Sequence, residues 1–334
     1  MQMALNRGKQ YWASAKHWVS EHAQGVKKTL SLLFFCAIAY LLVSHAKEIE
    51  WAKVLEAMRA TEIRTLVIGF IIGFFCYTAY ASYDLFGRYL LKLRTSATAT
   101  LIAAWISYAC NMNLGAIVGS IALRYRLYSR LGVSSGDVTK VIGISVTNNW
   151  LGYCFLAGGL FVSGSIDPPG NWVVGKLALQ FIGAVLLLVV GTYLYFCFFS
   201  QKREYQIKNT SITLPPTKVV LLHLSVVCIH WSLMAATIYQ FMPEELSFPT
   251  VYAVLLVSCI AGAVSHVPGG LGVLEAVFVA LLAGEVPKHQ LIAGVFAYRC
   301  VFYIAPLIIS FPLYLAYESF YKVRGKGSGS QSQK

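Results

Sequence analysis

The stretch HVPGGLGVLEAVFVALLAG, residues 266–284, decides how this chain is read. It sits in an apolar run, 249–284, that would otherwise pass for one continuous helix. Pro268, Gly269, Gly270 and Gly272 break that helix, because proline removes a donor and glycine costs backbone entropy. A single carboxylate, Glu275, follows the break and is flanked by apolar residues on both sides. A second apolar run, 96–122, is interrupted in the same way by NMNLG at 111–115. In hydrocarbon every freed backbone group needs a partner, so such breaks survive only inside protein or against a water-filled cavity. Each run is therefore expected to be a re-entrant hairpin of two half-helices.

The composition requires a lipid solvent. Of the 334 residues, 57% are hydrophobic and 12% charged, too few charges to cover a water-soluble fold. Apolar stretches near 29–46, 65–84, 139–164, 172–199, 219–242 and 288–318 have the length of full spans. The fold class expected is all-α: a polytopic membrane protein with about six full spans and two re-entrant helical hairpins in an inverted repeat. One transmembrane domain would cover 29–320, preceded by a cytoplasmic segment 1–28 and followed by a disordered cytoplasmic tail, 321–334. Segment 47–64 carries Trp51, Val54, Leu55 and Met58 at helical spacing and reads as a short surface amphipathic helix or a solvated loop.

Charge sets the orientation. With this topology 20 of the 27 Lys and Arg fall on one side, together with both termini. The positive-inside rule makes that side the cytoplasm. If both broken runs were full spans instead, the loops Arg124–Lys140 and Lys202–Lys218 would face outward. The net charge of +13 is thus an orientation signal, and nucleic acid is not an expected partner. The hairpins would enter from opposite faces and meet near the midplane, where inverted-repeat transporters place their sites.

Ionisable residues inside hydrocarbon are costly and mark function or a buried partner. Glu275, early in its half-helix, is stabilised by the helix amino end and is a proton or cation site, a ligand for a cationic headgroup, or a capping carboxylate that pairs with Arg299. Arg299 lies about 16 Å into the last span, near mid-bilayer, and needs a carboxylate or a lipid phosphate. Arg124 and Arg126, in RYRLYSR at 124–130, are candidates for a headgroup phosphate clamp or for interfacial anchoring. Asn111 and Asn113 in the first break and His266 at the second are expected to line a cavity. Asn148 and Asn149 are mid-span polar groups that either glue helices or line that cavity. Asp84 is expected to pair with Arg88 at i, i+4. His223 and His230 share a helix face but have no third ligand, so neither metal nor cofactor is called for. There is no P-loop, HExxH or G-x-S-x-G motif.

The breaks and their flanks carry a resemblance. HVPGGLGVLEAVFVALLAG with the AYR ending at Arg299 resembles the lysylphosphatidylglycerol synthase/flippase-type transmembrane family. NMNLGAIVGSIALRYRLYSRLG (111–132) and TNNWLGY (147–153) are similar to its YbhN-like branch. The membrane expected is the bacterial inner membrane, as that resemblance implies. The resemblance spans 29–320 and implies a domain that moves aminoacylated phosphatidylglycerol between leaflets, while a separate soluble domain makes that lipid. With no such domain in this sequence, it implies lipid translocation rather than catalysis. It carries over Arg124, Glu275 and Arg299 as core residues. The function expected is flippase-like movement of an anionic or aminoacylated glycerophospholipid headgroup. The alternatives are a polyprenyl-phosphate carrier transporter and a non-transporting scaffold for lipid-synthesis or envelope proteins. Phospholipids are the expected partners; lipid-synthesis enzymes and a homo-oligomer are compatible with the reading.

Overall fold

The computed structural model describes residues 51–164, 175–200, 204–207, 210–213, 215–265 and 267–329. The expected amino-terminal segment, the span at 29–46, His266 and the last residues of the tail lie outside them. The first described element, α1 (Trp51–Ala60), is a helix rather than a loop. It lies along a later helix with Val54 buried, while Leu55 turns outward rather than joining the apolar face. Then come α2 (Ile63–Ala81) and α3 (Tyr83–Leu90), which meet at Ser82 and together form one apolar stretch of 28 residues.

Helix α4 (Ala97–Leu114) starts at Ser96, whose hydroxyl accepts from the Ala99 N–H, and it ends at Gly115. The NMNLG motif is helical to its penultimate residue; only Gly115 leaves the helix, at φ 82° and ψ 170°. That region is open to glycine alone. A π-helix (Ala116–Ala122) then folds back along α4 and continues as α5 (Leu123–Arg130). The return is tight. A Cβ at Gly119 would sit 2.3 Å from the backbone of Cys110 and Asn111.

Helices α6 (Ser135–Val162), α7 (Lys176–Phe199) and α8 (Thr217–Tyr239) follow, with α6 packed along α7 and α2 along α8. Between α7 and α8 a two-stranded hairpin pairs Glu204–Ile207 with Thr210–Thr213, a small departure from the all-helical expectation. The second folded-back pair is α9 (Phe248–Ser265) and α10 (Val273–Leu282), joined through a 3-10 turn at Pro268–Gly270. The chain closes with α11 (Lys288–Arg299), a second π-helix (Cys300–Ile304) and α12 (Ala305–Gly329). Helix α12 runs well into the segment expected to be disordered.

The protein is a polytopic all-α membrane protein. Five described stretches are long and apolar enough to cross a membrane: Ile63–Leu90, Lys176–Phe199, Thr217–Tyr239, Phe248–Ser265 and Lys288–Tyr321. Helix α6, 28 residues long, is not among them because Asn148 and Asn149 dilute its hydropathy. Leg α9 is 18 residues, about 27 Å, long enough to cross most of the hydrocarbon, so it is longer than the half-helix expected. The core is rich in aromatic rings, with Tyr77, Tyr83, Tyr298, Phe278 and Phe302 fully buried, whereas α7 leaves Leu177, Phe181, Leu188 and Phe199 outward.

The close return at Gly119 generates a prediction. Gly119→Val places a side chain against backbone that cannot yield, and it should destabilise the fold by about 3 kcal/mol or more. Thermal unfolding of the detergent-solubilised protein checks this; an unchanged midpoint would mean that the π-helix does not lie on α4.

Candidate functional site

The two breaks meet. Gly269 has φ 63°, and a Cβ there would lie 3.2 Å from the Met112 carbonyl oxygen and 3.6 Å from that of Asn113. The second break therefore rests on the end of α4. The residue that organises the junction is Arg299, at the end of α11. Its Nε donates to Glu275 Oε1 at 2.5 Å and its Nη2 to Oε2 at 3.1 Å, a two-pronged ion pair. The same guanidinium donates to the carbonyls of the broken turn, Nη1 to Gly269 at 2.9 Å and Nη2 to Gly270 at 2.8 Å. Its charge also lies 5.0 Å from the centre of the Tyr303 ring. One side chain thus neutralises the carboxylate and supplies the donors that the 3-10 turn lacks.

The π-helix just after Arg299 frees further carbonyls, and these too are met. The Tyr77 hydroxyl of α2 donates to Phe302 O at 2.7 Å. Asn113 Nδ2 donates to Tyr303 O at 3.0 Å and to Ala109 O at 2.8 Å. Asn113 thereby ties the first break to the helix that carries Arg299. π-bulges are frequent at functional sites because they re-aim side chains and loosen the carbonyl ladder.

A second buried ion pair lies in the first half of the chain. Arg124 Nε and Nη2 donate to Asp84 Oδ2 at 3.0 Å and Oδ1 at 3.1 Å. Asp84 also accepts from the Tyr128 hydroxyl at 2.8 Å and the Ser145 hydroxyl at 2.8 Å, and Arg124 Nη1 donates to Ser120 Oγ. Both charged side chains are 0% exposed. This network joins α3, α5, α6 and the first π-helix with every carboxylate oxygen used.

Two folded-back helical pairs, each held by an arginine–carboxylate ion pair, make up this geometry, and the sequence has relatives. The lysylphosphatidylglycerol synthase TM region is recognised over residues 29–310. The chain belongs to this family. The inner membrane protein YbhN of Escherichia coli is 38% identical over 294 residues, 88% of this chain and 92% of its own length. An uncharacterized Synechocystis protein is 28% identical over 260 residues, covering 77% of this chain and 80% of that one. The phosphatidylglycerol lysyltransferase of Staphylococcus aureus is 23% identical over 293 residues, which is 85% of this chain but 33% of the lysyltransferase. This family member is a multi-pass inner-membrane protein.

Against the expectations, Glu275 does hold Arg299, and Asn113 sits at the junction. Arg124 is not in their company: it is sealed around Asp84. Asp84 was expected to pair with Arg88, but Arg88 Nε instead donates to Thr95 O at 2.6 Å, because Asp84 faces the core rather than its own helix surface. Asn111 lies half-buried in the last turn of α4, its carbonyl accepting from the Gly115 N–H. Asn148 turns its amide back onto Ile144 O and lines, with Leu151, Tyr193 and Leu224, a small apolar cleft between α6, α7 and α8. Asn149 Oδ1 is buried and unpaired. Arg126 lies outside both buried sites, against Glu318. Sequence reading missed Asp84 and Ser120 as partners of Arg124, and Tyr128 and Ser145 as further donors to Asp84. It also missed that His230 is held between the hydroxyls of Tyr83 and Tyr108, each at 3.0 Å.

The sealed pair yields a prediction. Asp84→Asn leaves Arg124 buried without its counter-charge and should cost about 3–5 kcal/mol, whereas Asp84→Asn combined with Arg124→Met should recover most of that loss. Unfolding midpoints of the three variants check it. Additive losses would show that the two groups do not act as a pair.

Proposed function

We propose that this protein is a flippase-like lipid transporter that moves the headgroup of an anionic or aminoacylated glycerophospholipid past the junction of the two breaks. The observation that carries the reading is the convergence at Arg299. A guanidinium, a carboxylate and two unsheathed glycine carbonyls meet where the tips of two folded-back helices touch. The name of the lysyltransferase relative, an enzyme of phosphatidylglycerol, supports lipid as the cargo. The two halves support an inverted repeat: α2–α3, a hairpin and α6 in the first correspond to α8, a hairpin and α11–α12 in the second.

In this mechanism both pairs of helices are re-entrant and both termini are cytoplasmic. Acyl chains stay in bilayer hydrocarbon, so only the headgroup needs a polar path. Arg299 exchanges the neutral carbonyls of Gly269 and Gly270 for the phosphate oxygens of the lipid, which carry charge and fit its planar fork. Glu275 remains as counter-charge and suits a cationic aminoacyl amine. Arg124, held by Asp84, positions the first hairpin. No covalent step is involved, so the protein is not an enzyme in this reading.

A non-transporting scaffold is the second reading, favoured by one observation: every carboxylate oxygen of both ion pairs is already engaged. Reconstitution separates the two. Vesicles with wild-type protein should translocate labelled phosphatidylglycerol or its lysyl form faster than protein-free vesicles. Arg299→Lys, which keeps the charge but loses the fork, should slow this about tenfold, the scale of one lost hydrogen bond to a charged group. Glu275→Gln should slow it as well. Equal rates in all vesicles, with all variants folded, would leave the scaffold.

A further inference from the structure

The charged cluster where α5 meets α12 lies outside both buried pairs, and its occupant is unusual. Glu318 of α12 presents one oxygen to Arg126 Nε at 2.7 Å and the other to Arg130 Nη2 at 3.0 Å. The Tyr314 hydroxyl donates to the same Oε1 at 3.2 Å, and the Arg126 guanidinium lies 5.7 Å from the Tyr314 ring centre. Three donors on two helices converge on one anion. Arg126 and Arg130 are four residues apart on α5 and so present their guanidinium groups on one face.

The two arginines remain 58% and 39% exposed while Glu318 is 14% exposed. Exposed ion pairs contribute little net stability, so exchanging the carboxylate for another anion costs little. The surroundings select which anion. Next to Glu318 on α12, Leu315 and Phe311 face outward as large apolar side chains. A ligand with its charge between the arginines would therefore lay an apolar body along α12. An acyl lipid has that form; a soluble phosphate does not.

We propose that Arg126, Arg130 and Tyr314 form a surface site for the phosphate of an anionic phospholipid, and that Glu318 is its built-in occupant, displaced when the lipid binds. The site is separate from the Arg299 junction, so it stands whether or not the protein translocates lipid. A phosphodiester has two charge-bearing oxygens, as the carboxylate has, and can take the same two guanidinium donors.

The test is lipid retention by the full-length, delipidated protein in mixed micelles carrying phosphatidylglycerol or phosphatidylcholine, read by native mass spectrometry. Glu318→Gln removes the competing charge and should retain severalfold more phosphatidylglycerol than wild type, with phosphatidylcholine unchanged. Arg126→Gln with Arg130→Gln should retain severalfold less than wild type. Melting midpoints confirm folding, since all three positions reach the surface. Equal phosphatidylglycerol retention by wild type and Glu318→Gln would overturn the proposal. So would loss of the bound lipid to inorganic phosphate alone, which would make the ligand a free anion.

Discussion

A broken helix leaves carbonyls without donors, and the donors found for them tie the two breaks of this structure together. The second break exposes the carbonyls of Gly269 and Gly270, and Arg299 takes both while also holding Glu275. The π-helix after Arg299 exposes Phe302 and Tyr303, and Tyr77 and Asn113 take those. An unsatisfied buried carbonyl costs about 1–3 kcal/mol. Were all four sealed from water, the penalty together would be comparable to the net stability of a domain; Phe302 is buried, and the other three are half-buried. Their donors come from α2, α4 and α11, so meeting that cost is what binds the first half of the described chain to the second.

The two arginines solve different problems. Arg124 is sealed in a closed network with Asp84, Ser120, Tyr128 and Ser145 contributing side-chain groups. A buried ion pair is a poor source of net stability but is very costly to break, which makes it a device for fixing register. Here it fixes the returning leg of the first hairpin against α3 and α6. Arg299 is bound less completely. Two of its acceptors are neutral carbonyls, and its side chain keeps 8% exposure against 13% for Glu275. The arginine with two neutral carbonyl acceptors sits at the junction of the breaks, and the arginine sealed around a carboxylate sits away from it.

The sequence made the membrane class, the two breaks and the Glu275–Arg299 pair legible, because each rests on a strong local signal. Glycine and proline clusters interrupt apolar runs, and a lone carboxylate in such a run needs a lone arginine. The Asp84–Arg124 pair was not legible for the opposite reason. Asp84 has an arginine four residues away, and local spacing offered a complete answer. Only the fold shows that Asp84 points inward, toward a partner 40 positions distant. The extent of helix in NMNLG was also hidden. Asparagine lowers helix propensity, but Asn113 recovers that cost by donating to Ala109 O within its helix and to Tyr303 O beyond it.

The satisfaction of Arg299 constrains how any lipid could use it. If a phosphate displaced the carbonyls of Gly269 and Gly270, those carbonyls would be stranded again, at about 1–3 kcal/mol each. A charge-assisted bond to phosphate is stronger than one to a neutral carbonyl, but it does not offset two stranded acceptors in a dry site. The exchange therefore requires that water reach the broken turn when the headgroup arrives. Gly269 and Gly270 are half-buried rather than sealed, and Leu271 beside them is 59% exposed. Asp84 and Arg124 offer water no such access. In the proposed transport, hydration of the glycine turn, more than the charge of the arginine, is what would let the Arg299 junction exchange ligands where the Asp84–Arg124 pair holds the fold.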